Sequence, residues 1–337
     1  MKDASFRSFE SRVAGRRLLL LTATALGFGI AAARPLPALA DNAWPSRPIT
    51  MVVPYPAGGV VDVVARAVSA EMAKALKQSI VVVNKPGGNG NIAAETVARS
   101  APDGYTLLVS APFLVTNPFL ESGLRWQPSD FTPVALMARS SDYLVVPADS
   151  PHGSVKAYVE AARLASQPLQ YGIAGKGTPQ ALSVEVLKRS AGIALQVVPY
   201  QGAPHVINDL VSSRITMAVL PAFVASPQIK AGKLKALATM SDRRTGEWAQ
   251  IPTITEAGYP EPTVFSWYGL QAPSATPKAV IARLSDAVRS AFAVAATRDK
   301  LTNALTEPAF MDVAEFAAFV QKETARWDRV TRQLSLN

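Results

Sequence analysis

The feature that most constrains this chain is a strand that runs directly into a glycine loop and then a helix, and that occurs twice. Ile49-Thr50-Met51-Val52-Val53 is apolar and β-branched, is closed by Pro54, and reads as a buried strand. Tyr55-Pro56-Ala57-Gly58-Gly59 follows, after which Val61, Val64, Val68, Met72 and Leu76 fall on one helical face. Residues 80–83 read as a second strand, 91–99 as a helix and 105–109 as a third strand. Near residue 169 the pattern restarts. A strand over 170–173 enters Ala174-Gly175-Lys176-Gly177-Thr178, and a helix over 180–190 leaves it. A strand over 194–198 then leads through Tyr200-Gln201-Gly202-Ala203-Pro204 into another helix. Strands at 217–220, 235–239 and 269–272 complete the set, with helices expected over 277–297 and 313–334. Strands that alternate with helices and are apolar on both faces predict an α/β fold with parallel sheets covered on both sides.

The position of the glycines has a chemical consequence. Where a parallel strand turns into a helix, the first helical N–H groups lack internal partners and the helix dipole favours negative charge. Glycine lets a ligand approach that backbone closely. Two such loops facing each other across a cleft could hold a carboxylate from both sides without any arginine. Neither loop carries a nucleotide signature: Gly175-Lys176-Gly177-Thr178 lacks the spacing of a P-loop, and Pro86-Gly87-Gly88-Asn89-Gly90-Asn91 lacks the G-x-G-x-x-G register. No cofactor is expected.

Other chemistries are poorly supplied. Cysteine is absent, which excludes disulfides, thiolate nucleophiles and Cys-based zinc sites. The only two histidines are His152, in a turn, and His205, at a helix start. No G-x-S-x-G elbow occurs, and Asp62, Glu185 and Asp209 stand near helix starts, where capping is their default role. No catalytic residues and no metal site are therefore expected.

The first forty residues read as an address. Arg12, Arg16 and Arg17 precede an apolar run over 18–33, too short for a membrane span, and Ala38-Leu39-Ala40 predicts cleavage before Asp41. Arg16-Arg17 leaves both the general and the twin-arginine export routes open. The formal charge of +9 falls to +5 in the mature chain, with 28 basic against 23 acidic residues and no run of five basic ones, so nucleic acid is not an expected partner.

Trp44-Pro45-Ser46-Arg47-Pro48-Ile49 and Val53-Pro54-Tyr55-Pro56-Ala57-Gly58-Gly59, with Asp62 and Ala65-Arg66, resemble the opening of the Bug family. These are the periplasmic, TctC-like receptors of tripartite tricarboxylate transporters. Asn84-Lys85-Pro86-Gly87, Ala101-Pro102-Asp103-Gly104-Tyr105, Val198-Pro199-Tyr200-Gln201-Gly202-Ala203, Ala231-Gly232-Lys233-Leu234 and Ser266-Trp267-Tyr268-Gly269 extend the likeness, in order, over the mature chain. The resemblance implies a two-domain, Venus-flytrap binding protein, type II-like, with its ligand cleft between the domains. It puts domain 1 at residues 41–146 and 267–337 and domain 2 at 147–266. It implies a monomer that takes a small organic carboxylate and delivers it to membrane transporter subunits or a sensor kinase. The site residues it implies are Tyr55, Ala57, Gly58, Gly59, Asp62, Gly175, Gly177, Thr178, Tyr200, Gly202 and Ala203. To these we add Lys176, an unusual residue for that loop. This chain departs from the family pattern at Ala174, where serine is common, at Ala181-Leu182, where histidine-leucine is common, and at Ser213, where glycine is usual. The alternative expectation is a secreted α/β hydrolase-like enzyme.

Overall fold

The computed structural model describes residues 44–175, 178–200, 202–244, 248–260 and 264–333. The expected signal segment (1–40), Lys176 and Gly177 lie outside the described residues.

In the first half, β1 (Ile49–Val53), α1 (Val60–Leu76), β2 (Ile80–Asn84), α2 (Asn91–Ala98), β3 (Thr106–Ser110) and α3 (Phe113–Leu120) lead into the 17-residue strand β4 (Phe131–Pro147). The second half repeats the pattern with α4 (Val155–Leu164), β5 (Leu169–Ile173), α5 (Pro179–Ala191), β6 (Leu195–Pro199), α6 (Ala203–Val211), β7 (Met217–Pro221), α7 (Ala222–Lys230) and β8 (Leu234–Thr239). The chain returns through β9 (Phe265–Pro273), α8 (Lys278–Ala293), α9 (Ala295–Asn303), β10 (Glu307–Met311) and α10 (Val313–Gln333).

The restart expected near residue 169 is real. β1 lies between β2 and β3, β5 lies between β6 and β7, and all four pairings are parallel. A sheet that is parallel throughout is not what forms. β9 runs antiparallel to β3 and β4, and β4 runs antiparallel to β7, β8 and β10. The reason is connectivity: β4 carries the chain out to the second half, and β9, which returns beside it, must point the other way. From Phe131 to Ser141, β4 pairs with β9; from Asp142 onward it pairs with β7 and β8. The helix expected over 277–297 also breaks, at Val294, whose extended backbone (φ −84°, ψ 118°) separates α8 from α9.

The apolar stripe of α1 is buried as expected: Val61, Val64, Val68, Met72 and Leu76 all pack inward, each contributing about 1.5–3 kcal/mol. The helix stops at Lys77, which takes a left-handed conformation (φ 54°) and donates to the Lys74 carbonyl. Along β4 the period of two separates two cores. Leu144 and Val146 join the large one, while Tyr143 and Val145 join a smaller one with Val206, Leu210 and Leu220. The parallel strands at the sheet ends, β2 and β6, are only half covered, leaving Val81 and Val197 exposed.

Candidate functional site

The first glycine loop is held open by its backbone and by one carboxylate. Gly58 has φ +82°, a conformation that suits glycine, and a Cβ there would meet nothing within 4 Å. Gly59 is extended (φ −74°, ψ 166°) and stands at the N-cap of α1 without any side-chain capping bond. The opening N–H groups of α1 are therefore not claimed by a cap. Beneath the loop lies Asp62, buried on the first turn. Its carboxylate accepts from the Gly58 N–H at 3.0 Å, Arg66 Nε at 2.9 Å and Asn84 Nδ2 at 2.9 Å. Burial would raise its pKa, but the donors from Arg66, Gly58 and Asn84 outweigh burial and hold it below the usual carboxylate value. Asn84 Nδ2 also donates to the Tyr55 carbonyl at 3.0 Å, so Asp62 and Asn84 together fasten the loop to the sheet.

In the second half Thr178 caps α5. Its Oγ1 accepts from the Ala181 N–H at 3.2 Å and donates to the Gly175 carbonyl at 3.0 Å. Between the two loops lies a cavity of about 310 Å³, at the small end of the usual range for ligand pockets. Four helix beginnings open onto it: α1 through Gly59, Val60 and Val61; α3 through Ala111, Pro112 and Phe113; α5 through Thr178, Pro179 and Gln180; and α7 through Pro221 and Phe223. Among the described residues no lysine, arginine or histidine lines it. Its aromatic wall is closely packed. Tyr55 meets Phe113 edge-on at 6.4 Å, and a Cβ at Gly90 would touch the Phe113 ring at 2.9 Å. Burial pushes the Tyr55 hydroxyl up to about 12, so it stays a neutral donor. The lining Thr116 has a fully buried hydroxyl with no partner, an unmet hydrogen bond of the kind a bound polar ligand or water satisfies.

The remaining candidate residues are distributed around this cavity. Tyr55, Gly59 and Thr178 line it. Ala57 and Gly58 are exposed on the loop above it, and Gly175 is tied to Thr178. Ala203 lines an adjoining space of about 110 Å³ that shares Thr178, Gln180, Pro221 and Phe223 with the main cavity. Tyr200 and Gly202 line neither space; the Tyr200 hydroxyl donates instead to Asp209 at 2.8 Å. Neither histidine reaches the cavity: His152 packs edge-on against Tyr158, and His205 is exposed on α6. A crevice of about 420 Å³ lies on the opposite face of β4, lined by Ser141, Tyr143 and the end of α9. That crevice carries both Lys230 and Glu307, a mixed lining unlike the converging helix beginnings of the main cavity.

Sequence reasoning missed the loops that begin α3 and α7, because they carry no glycine. A signal was present: each third strand runs into a proline with a phenylalanine one or two residues later, Ala111-Pro112-Phe113 and Pro221-Ala222-Phe223. It also missed the cavity floor. Asp142, wholly buried on β4, accepts from Gln180 Nε2 at 3.0 Å and from Ser266 Oγ at 3.5 Å. Burial pushes its pKa up to about 7, against the smaller opposing pull of the Gln180 and Ser266 donors. A raised carboxylate pKa means that the folded protein holds a proton the unfolded chain has released. The stability linked to Asp142 is therefore full below about pH 4 and declines as pH rises toward 7. We expect the melting temperature of the native chain to fall relative to that of Asp142→Asn across this interval. Parallel melting curves of the two proteins would contradict it.

Two α/β halves joined by strands, with an anion-suited cavity between them, define the solute-binding class of protein. The chain belongs to the tripartite tricarboxylate transporter receptor family, whose pattern it matches over residues 64–336. It is 35% identical over 298 residues to the "UPF0065 protein in tcbD-tcbE intergenic region" of Pseudomonas sp. (strain P51), covering 88% of this chain and 89% of that one. Among solved structures it resembles Rpa4515 of R. palustris with adipate, with TM-score 0.76 and 32% identity, covering 87% of this chain and 98% of that one. It also resembles MatC from Rhodopseudomonas palustris with bound malate, with TM-score 0.72 and 32% identity, covering 85% and 99%.

Proposed function

We propose that this protein is an exported receptor that captures a small organic carboxylate in the cavity between its halves and passes it to the membrane subunits of a tripartite tricarboxylate-type transporter or to a sensor kinase. The observation that carries this reading is the meeting of four helix beginnings in one cavity that no cationic side chain lines among the described residues. Backbone N–H groups and aligned dipoles favour an anion there, and their fixed positions favour a planar carboxylate. The adipate and malate held by the two solved relatives agree with that chemistry. The receptor would work as a monomer, with residues 41–146 and 267–337 closing on residues 147–266, and without catalysis of its own.

The test is a panel of mono- and dicarboxylates of three to eight carbons, scored for thermal shift and for product. A ligand at 100 times its dissociation constant adds about 2.7 kcal/mol of stability, so at least one acid should raise the melting temperature by a few degrees. No shift with any acid, or turnover of one, would overturn the reading. Export is tested separately. Protein recovered from the periplasm of its host should begin at or near Asp41, and retention of Met1 in a membrane fraction would contradict cleavage.

A further inference from the structure

The Gln180 side chain lines the cavity, and its amide is not free to turn. Its Nε2 donates to Asp142 Oδ1 at 3.0 Å and reaches Ser266 Oγ at 3.4 Å. A carboxylate only accepts, so an ionised Asp142 claims the NH₂ end of the amide and leaves the Gln180 carbonyl oxygen for the cavity. Ser266 closes the arrangement: its hydroxyl donates to Asp142 Oδ2, and it also bonds to the Tyr268 hydroxyl. Burial and the neighbouring Asp142 charge both push the Tyr268 hydroxyl upward, so it stays neutral. Asp142 itself is fully buried, and no ion pair joins it to a basic side chain among the described residues. Above the value of about 7 to which burial raises Asp142, this wall of the cavity therefore presents an acceptor backed by a negative charge with no ion-pair partner among the described residues, whereas the helix beginnings present donors. A second carboxylate placed against it would meet an acceptor and a like charge in a poorly screened site.

We infer that Gln180 reads the second polar group of the captured acid, selecting an uncharged or cationic hydrogen-bond donor such as an amide and rejecting a second carboxylate. This rests on the receptor reading and narrows it to acids whose other end is a donor. The adipate seen in Rpa4515 is not such an acid, so this chain and that relative are expected to differ in ligand.

The experiment uses α,ω-dicarboxylates of four to six carbons and their monoamides, titrated calorimetrically into the mature protein at pH 8, above the value of about 7 to which burial raises Asp142. We expect a monoamide to bind at least about tenfold more tightly than the dicarboxylate of equal length. Asp142→Asn removes the charge and lets the Gln180 amide turn over, so the preference should shrink to about twofold or reverse. Gln180→Met removes the acceptor without touching β4 and should shrink the ratio as well, which preserves the test if the β4 variant fails to fold. Equal or tighter binding of the dicarboxylate by the native protein, or a ratio unchanged in Gln180→Met, would overturn the inference and leave the receptor reading standing. Binding of neither acid, together with silence across the wider panel, would overturn both.

Discussion

Gly59→Val should weaken carboxylate binding by at least about 100-fold while leaving the protein folded. Gly59 has an ordinary negative φ, and the nearest atom to an added Cβ is the Pro56 carbonyl at 3.4 Å, so a side chain there meets no backbone obstacle. Exchanging glycine for valine at a helix N-cap costs about 1 kcal/mol, small against the stability of a domain. The valine methyl groups would instead stand on the cavity wall in front of the first N–H groups of α1. Losing two charge-assisted backbone bonds, each contributing about 1.5–3 kcal/mol, accounts for the expected loss. Gly58→Val is a less clean experiment, because its φ of +82° adds backbone strain of about 1–2 kcal/mol. Titration of both variants with the acid that binds the native protein, alongside their melting curves, checks the point. Native affinity in a folded Gly59→Val would remove the α1 beginning from the site.

Asp62→Asn should lower stability by about 2–3 kcal/mol near neutral pH, because an amide confronts three donors with one acceptor and a donor of its own. The direction of the Asp62 shift sets the pH dependence. A carboxylate held below its ordinary value stabilises the fold above about pH 4, and that contribution is lost as pH falls through the folded value. Urea unfolding at pH 7 and at pH 3 should show a clear gap between native and variant at the first and a much smaller one at the second. Equal stability at pH 7 would mean that the latch between loop and sheet carries no weight.

How much of this was legible before the structure depended on how local each signal was. Tyr55 to Gly59 and the buried face of α1 are written in short runs of sequence, and both lie where their patterns predict, whereas the Thr178 cap of α5 emerges only from the structure. The loops of Tyr200 and Gly202 carry an equally good local signal, yet these two residues sit outside the cavity. The reason is sheet order. β1 and β3, like β5 and β7, are adjacent strands near the sheet centre, and the loops at their ends converge, whereas β2 and β6 lie at the edges. Strand order is set by long-range pairing, which no window of ten residues reports. The Asp142, Gln180 and Ser266 cluster illustrates the same limit, because its members are 38 and 86 residues apart and meet only where β4 changes partners. A lone aspartate heading the run Asp142-Tyr143-Leu144-Val145-Val146 was the one visible hint. Lys176, a candidate on its glycine loop, lies outside the described residues.

The most direct test of the account is a crystal structure grown with the tightest-binding acid of the panel. The account predicts a carboxylate inside the 310 Å³ cavity, its oxygens accepting from backbone N–H groups at the start of α1 and at the start of α5 or α7, directly or through one water. A carboxylate held instead by an arginine or by a lysine other than Lys176, or seated in the crevice behind β4, would contradict it.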